Sequence, residues 1–391
     1  MWETVKLGDV CDFEGGSQPP KKEFVYEEQD GYVRFIQIRD FKSDKNLTYI
    51  PIAKKNRLCV DEDILIGRYG ASVGQIHRGL AGAYNVALMK TIPNADRLSK
   101  GWLYAYLNSS LFQKPLLEVS KRSAQNGFSK DEISDFNLPL PPLSEQQRIV
   151  DKLDAAFAEI DLAIELASQQ LSLFDDLAYR LTEALTHSEN HQTRRLSDLT
   201  EIQPPKKLSR DKLSDSDDVT FMGMDRLGIE QKYSTSDEVK TLSDAYKSYQ
   251  YFEENDLLLA KITPCFENGK LSIANQLVNG VGFGSSEFVV IRTGSELITD
   301  YAYYSLLCRQ FRREGEKNMS GAVGHKRVTK DYIANYVLSI PTVEEQIKIT
   351  KKLDDVWKHR EIGQKSVSDK IISLAALKSA ILAQELQSEA L

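Results

Sequence analysis

Cysteine and histidine are scarce in this 391-residue chain, with four of the first and five of the second. Cys11, Cys59, Cys265 and Cys308 lie far apart without a C-x-x-C, and no histidine lies close to a cysteine in the sequence. Neither a disulfide framework nor a metal site is expected. No stretch of 18 or more apolar residues exists, so no membrane-spanning helix is expected. The opening MWETVKLGDV lacks the basic-then-apolar order of a signal peptide, which points to a cytoplasmic chain. Catalytic signatures are missing too: there is no H-E-x-x-H, no G-x-S-x-G, and no Asn/Asp-Pro-Pro-Tyr/Phe of adenine methylation. The glycines of Gly67-Arg-Tyr-Gly-Ala-Ser-Val-Gly74 are not followed by Gly-Lys-Ser/Thr, which excludes a phosphate loop.

What is present is ordinary in amount and uneven in placement. At 41% hydrophobic and 27% charged, the chain has the make-up of a globular protein large enough for two domains. The net charge of −7 argues weakly against a nucleic-acid partner, but its distribution matters more than its sum. Residues 144–186 hold 3 basic and 9 acidic side chains. Residues 1–143 hold 19 and 18, residues 187–341 hold 20 and 22, and residues 342–391 hold 8 and 8. The two larger segments are therefore free to carry a basic face.

The chain also repeats itself. LPLPPLSEQQRIVDKLD from Leu138 returns as LSIPTVEEQIKITKKLD from Leu338. Upstream, SKDEISDF from Ser129 aligns with TKDYIANY from Thr329, Asp63-Ile-Leu-Ile resembles Asp256-Leu-Leu-Leu, and Tyr104 matches Tyr304. Between these anchors the halves diverge. A shared frame with different filling suits a duplicated binding module, and a solenoid would need more and shorter repeats. The boundaries that follow are 1–143 and 187–341 for two globular domains, and 144–186 and 342–391 for two long helices.

Each helix follows a Pro-containing run and opens on a candidate capping box, Ser144-x-x-Gln147 or Thr342-x-x-Glu345. In the first, Ile149, Leu153, Phe157, Ile160, Ile164, Ala167, Leu171, Phe174, Ala178, Leu181 and Leu185 step by three or four without Pro or Gly. That narrow stripe is a seam for another helix. The second repeats it through Ile349, Leu353, Trp357, Val367, Ile371, Leu374 and Ile381, with Arg360, Gln364 and Lys378 interrupting and Gly363 weakening one turn. Roughly 40 residues make a rod of about 60 Å. Antiparallel pairing needs no long connection. The expected fold is thus α+β: two globular domains separated by a long antiparallel two-helix coiled coil, a dumbbell with pseudo-two-fold symmetry suited to two copies of a partner or two half-sites of one ligand.

Side chains suited to DNA cluster in both globules. Tyr32-Val-Arg-Phe-Ile-Gln-Ile-Arg39 presents Arg34, Gln37 and Arg39, residue types able to bond guanine and adenine edges bidentately. Arg68, Tyr69, Ser72 and Gln75 sit in a glycine-rich loop. In the second globule, Lys261, Thr263, Asn268 and Lys270 lie in KITPCFENGK, a loop by its Pro264 and Asn268-Gly269. Lys21 and Lys22, and their counterparts Lys206 and Lys207, follow Pro-Pro near the start of each globule, placed for phosphates, which position without reading sequence.

The doubled joint, together with DILIGRYGASVG in the first half and KITPCFENGK and GFGSSEF in the second, resembles the specificity subunit of type I restriction-modification systems over essentially the whole chain. The resemblance implies two target-recognition domains, each reading one half of a split, asymmetric duplex DNA sequence, with the paired helices as a ruler. It implies two adenine methyltransferase subunits and restriction/motor subunits as partners. It also implies no catalysis and no cofactor in this chain, with S-adenosylmethionine, ATP and Mg2+ held by the partners.

Two rival readings remain. A coiled-coil adaptor that never contacts DNA would fail, even together with methyltransferase, to retard a DNA library in a sequence-dependent, salt-sensitive way. A nuclease built on Asp237, Glu238 and Lys240 would cut DNA with metal alone.

Overall fold

A computed structural model of the chain describes residues 2–122, 127–322 and 324–387; the expected end of the second helix, 388–391, lies outside them. The chain divides into two compact units, residues 1–167 with 369–391, and residues 168–368. The unit boundary cuts both long helices, Leu143–Thr186 and Val343–Gln387, so each unit owns a globule and a segment of each helix. No helix among the described residues is long and apolar enough to cross a membrane.

The two globules share one strand plan. In the first, Glu3–Lys6 pairs antiparallel with Asn137–Leu140, the strand that leads into the long helix. In the second, Gln192–Arg195 pairs the same way with Val337–Ile340. One sheet of the first globule runs in the order Cys11–Gly15, Leu88–Pro93, Leu65–Gly67, Ile76–His77. Its counterpart runs Thr200–Ile202, Phe288–Thr293, Leu257–Ala260, Leu271–Ala274, with Tyr233–Ser234 added at the edge. The other sheet is centred on a parallel pair in both cases, Tyr32–Ile36 with Gly82–Tyr84, and Asp218–Met222 with Val281–Gly284. The helices Lys100–Asn108 and Thr299–Leu307 are offset by 199 residues, so Tyr104 corresponds to Tyr303 rather than to Tyr304.

The doubled Glu-Gln has a physical cause. Gln146 is fully buried. Its Oε1 accepts from the Ser99 amide at 2.9 Å, and its Nε2 donates to the Arg97 and Pro141 carbonyls at 2.8 and 2.9 Å. Gln346, equally buried, accepts from the Ile298 amide at 2.9 Å and donates to Glu296 and Pro341 at 2.8 and 3.0 Å. Each glutamine thus ties the Pro run, the first turn of the long helix and the loop entering the preceding short helix. Trp102 and Tyr301 add a second tie, donating to the Pro139 and Ser339 carbonyls at 2.9 and 2.8 Å.

Only one of the two capping boxes forms. Thr342 and Glu345 bond reciprocally, with the Glu345 amide donating to Thr342 Oγ1 at 3.3 Å and the Thr342 amide to Glu345 Oε2 at 3.1 Å. Ser144 and Gln147 do not, because the first helix begins at Leu143 and the position matching Thr342 is Pro142, which has no hydroxyl. Gln147 bonds Asp151 instead, at 2.7 Å.

Within each unit the two helix segments run antiparallel. In the first, Lys152 meets Glu385 and Lys378 meets Asp161, both at 2.7 Å. In the second, Arg360 Nε and Gln364 Nε2 donate to Asp175 Oδ1 at 2.6 and 2.8 Å, and Trp357 Nε1 donates to Thr182 Oγ1 at 3.0 Å. Ile149, Leu153, Ile160, Leu353 and Val367 are buried, and Phe157, Ile164, Leu171, Ile349, Trp357, Ile371 and Leu374 are half-buried. The polar interruptions of the second helix therefore face acids of the first, which accounts for part of that helix's acid excess.

The expected stripe drifts at two ends. Leu181 is exposed; Tyr179 is buried, and so are Thr182 and Thr186, which continue from Ala178 in steps of four. Their hydroxyls donate to the Ala178 and Thr182 carbonyls, so burial leaves no unpaired polar group. On the second helix Leu382 and Leu386 are buried, where Ile381 is only half-buried. Gly363 is not merely a weak turn. A Cβ there would stand 2.7 Å from the Phe174 ring, so the glycine makes room for it.

Candidate nucleic-acid interface

In the first globule the parallel-paired strand Tyr32–Ile36 ends by aiming the next residues into an open depression of about 570 Å³. Lys21, Gln37 and Arg39 line it, and so do Phe24, Tyr26, Lys45, Asn46 and Thr48. Lys22 is exposed on the same one-turn segment, Lys21–Glu23, that Pro20 initiates.

Arg39 is half-exposed and held along one edge. Its Nη2 donates to the Asn46 carbonyl at 3.3 Å and to Thr48 Oγ1 at 3.2 Å, and its Nε lies 3.6 Å from buried Asp40. Gln37 Nε2 shares Thr48 Oγ1 at 3.4 Å. Arg34 is placed differently, in an ion pair with Asp44 at 2.7 Å, with its Nε buried and unpartnered.

The glycine-rich loop spends its polar groups on itself. Ser72 Oγ donates to the Tyr69 carbonyl at 2.7 Å and Gln75 Nε2 to Ala71 at 3.2 Å. Arg68 Nε donates to the Phe128 carbonyl at 3.1 Å, with the guanidinium beside the Tyr69 ring. Gly67 is required by closure, since a Cβ would fall 2.1 Å from the Ser72 carbonyl oxygen. Arg78 lies exposed over Tyr104 at 4.1 Å.

The second globule assembles another set. Lys261 Nζ donates to the Ser286 carbonyl at 2.9 Å, Thr263 Oγ1 to Glu267 at 2.8 Å, and Lys270 Nζ to the Met224 carbonyl at 2.6 Å. Asn268 is exposed. Beside that loop, hydrogen bonding from Arg327 chiefly, with Lys261 adding charge, holds the Glu287 carboxyl below the usual range. The loop's cations are thus largely matched. Lys206 Nζ reaches the Tyr246 carbonyl at 2.8 Å, and Arg210 stacks on the Tyr246 ring at 3.9 Å, while Lys207 is exposed. Lys240 lies 3.3 Å from the Phe221 ring centre, stacked on an aromatic surface. Its Nζ also lies 3.6 Å from Glu238 Oε1, a surface ion pair.

Corresponding positions differ between halves. Gln37 and Arg39 follow Ile36, whereas Gly223 and Asp225 follow Met222. Lys45, Asn46 and Thr48 escape a sequence reading because they sit in an unremarkable polar loop; only the pairing of Tyr49–Pro51 with Tyr32–Ile36 brings that loop against Arg39, and the Val25–Tyr49 bridge brings Tyr26 beside it.

The model of the type I restriction modification DNA specificity domain matches residues 1–169 and again 188–368. The chain belongs to that family. Each match takes in one globule and part of its following helix. The chain is 34% identical over 155 residues to the type I restriction enzyme EcoAI specificity subunit of Escherichia coli, a stretch covering 39% of this chain and 26% of that one. It is 21% identical to the StySPI specificity subunit of Salmonella potsdam over 99% of this chain and 89% of that one. A solved chain from a study of complex assembly and conformational transition of the type I R-M system has the same fold, with a TM-score of 0.73 at 16% identity, covering 98% and 97% of the two chains. Against EcoAI and EcoEI the matched stretch spans only about a quarter of the relative's length.

Proposed function

We propose that this chain is the non-catalytic DNA-specificity subunit of a type I restriction-modification complex, in which each globule reads one half of a split, asymmetric duplex sequence. The observation that carries the reading is the family's domain occurring twice on one strand plan, with different side chains at matching positions. Two copies of one frame provide two readers, and Gln37 and Arg39 against Gly223 and Asp225 give them different targets.

Arg39, Gln37, Lys21, Lys22 and the nearby Lys45 serve the first half-site. Lys206, Lys207, Lys261, Thr263, Asn268 and Lys270 flank the second. Lysines fix the register on phosphates while amide and guanidinium groups read base edges. Arg34, Arg68, Tyr69, Ser72 and Gln75 support the loops around the first site. Two adenine methyltransferase subunits and the restriction/motor subunits are the partners, and these carry S-adenosylmethionine, ATP and Mg2+.

Gel retardation of a randomised duplex library by the full-length chain tests the reading. A salt-sensitive shift with an enriched two-part sequence supports it. A shift with no enriched sequence, or none at low salt, favours the protein-protein adaptor.

A further inference from the structure

We infer that Arg39 is a specificity-determining residue that reads a guanine in the half-site of the first globule, and that Thr48 is its positioning residue. The inference rests on the DNA-reading function above. Two of the first globule's arginines in this region are committed elsewhere, Arg34 to Asp44 and Arg68 to the Phe128 carbonyl. Arg39 alone of the three is half-exposed on the depression lined by Lys21 and Lys45.

Its guanidinium is oriented from one side only. Asn46, Thr48 and Asp40 hold the Nε and Nη2 groups, and among the described residues Nη1 makes no hydrogen bond to protein. The free Nη1 hydrogens can donate to O6 or N7 on the major-groove edge of guanine, and the bidentate fork forms when Nη2 exchanges its longer contact, to the Asn46 carbonyl at 3.3 Å, for the base. A phosphate contact needs no such orientation, and Lys21 and Lys45 beside it suffice for that.

Thr48 is buried, and its Oγ1 accepts from both Arg39 and Gln37. One hydroxyl therefore sets the relative placement of two side chains able to read bases. At the matching place in the second globule Asp225 replaces Arg39, so the same guanine preference is absent there.

The test is selection from a randomised duplex library by the full-length chain, as wild type and as Arg39→Ala, Arg39→Lys, Thr48→Val and Thr48→Ser. With Arg39→Ala, the requirement for guanine at one position of one half-site relaxes by about 10–100-fold and every other position stays as in wild type. Arg39→Lys retains binding and loses most of that discrimination, because an ammonium cannot form the planar fork. Thr48→Val blurs the same position and Thr48→Ser restores it; a purely structural threonine would lower binding at all sequences alike. Uniform weakening with an unchanged sequence pattern makes Arg39 a phosphate contact and overturns the inference, while DNA reading stands. A wild-type chain that selects no sequence overturns both.

Discussion

Replacing Gln146 by leucine tests how the globule is fastened to its helix. Leucine keeps most of the volume and removes one acceptor and two donors. The Ser99 amide and the Arg97 and Pro141 carbonyls then lose the partners now at 2.8 to 2.9 Å, in a fully buried setting. A buried polar group left unmade costs about 1–3 kcal/mol, and the helix start can relax toward some of them, so the expected loss is about 3 kcal/mol. For a unit of about 190 residues this lowers the melting temperature by about 6–12 °C. Thermal and urea unfolding of the full-length chain, followed by circular dichroism, measure it. Gln346→Leu should cost a similar amount in the other unit, because its three bonds are the same. Gln147→Leu, one residue along and exposed, should change stability by less than about 0.5 kcal/mol. A loss below about 1 kcal/mol for Gln146→Leu, or equal losses at 146 and 147, refutes the fastening argument.

Gly363→Ala should destabilise by about 1–2 kcal/mol in urea unfolding, despite the helix propensity gained, since the new methyl meets Phe174; Phe174→Leu in the same chain should recover part of it. Arg360→Met should cost about 2 kcal/mol by the same measurement, because Asp175 and Glu230, now 2.5 Å from the guanidinium, lose their cation. Burial depresses His187, against the opposing charges of Glu183 and Glu314. The unfolded chain then takes up a proton more readily, so stability is complete above the ordinary histidine value of about 6.5 and is lost as pH falls below it. Urea midpoints should drop between about pH 7.5 and 5.5, and His187→Gln should flatten that slope.

The frame was legible in the sequence because repetition and periodicity encode it directly. The Pro run and the step of three or four in the long helices reflect backbone constraints that recur in both halves, whereas of the two expected capping boxes only that of Thr342 and Glu345 forms. Thr182 and Thr186 were missed because hydrophobicity does not flag a buried threonine that bonds its own helix. Gln146 and Gln346 stood in plain view within the repeat, yet their role depends on carbonyls about 50 residues away. The candidate site was least legible. Arg34 and Arg39 are alike in sequence, and only folding the 44–48 loop against them commits one to Asp44 and leaves the other outward.

Two-part reading is tested most directly by sequencing methylated adenines in DNA from cells holding this chain with the proposed methyltransferase. Two readers on one chain should give a split, asymmetric motif, two specific halves around a fixed unspecified spacer, that disappears when this chain is deleted. A single continuous motif, or one unchanged by the deletion, contradicts it.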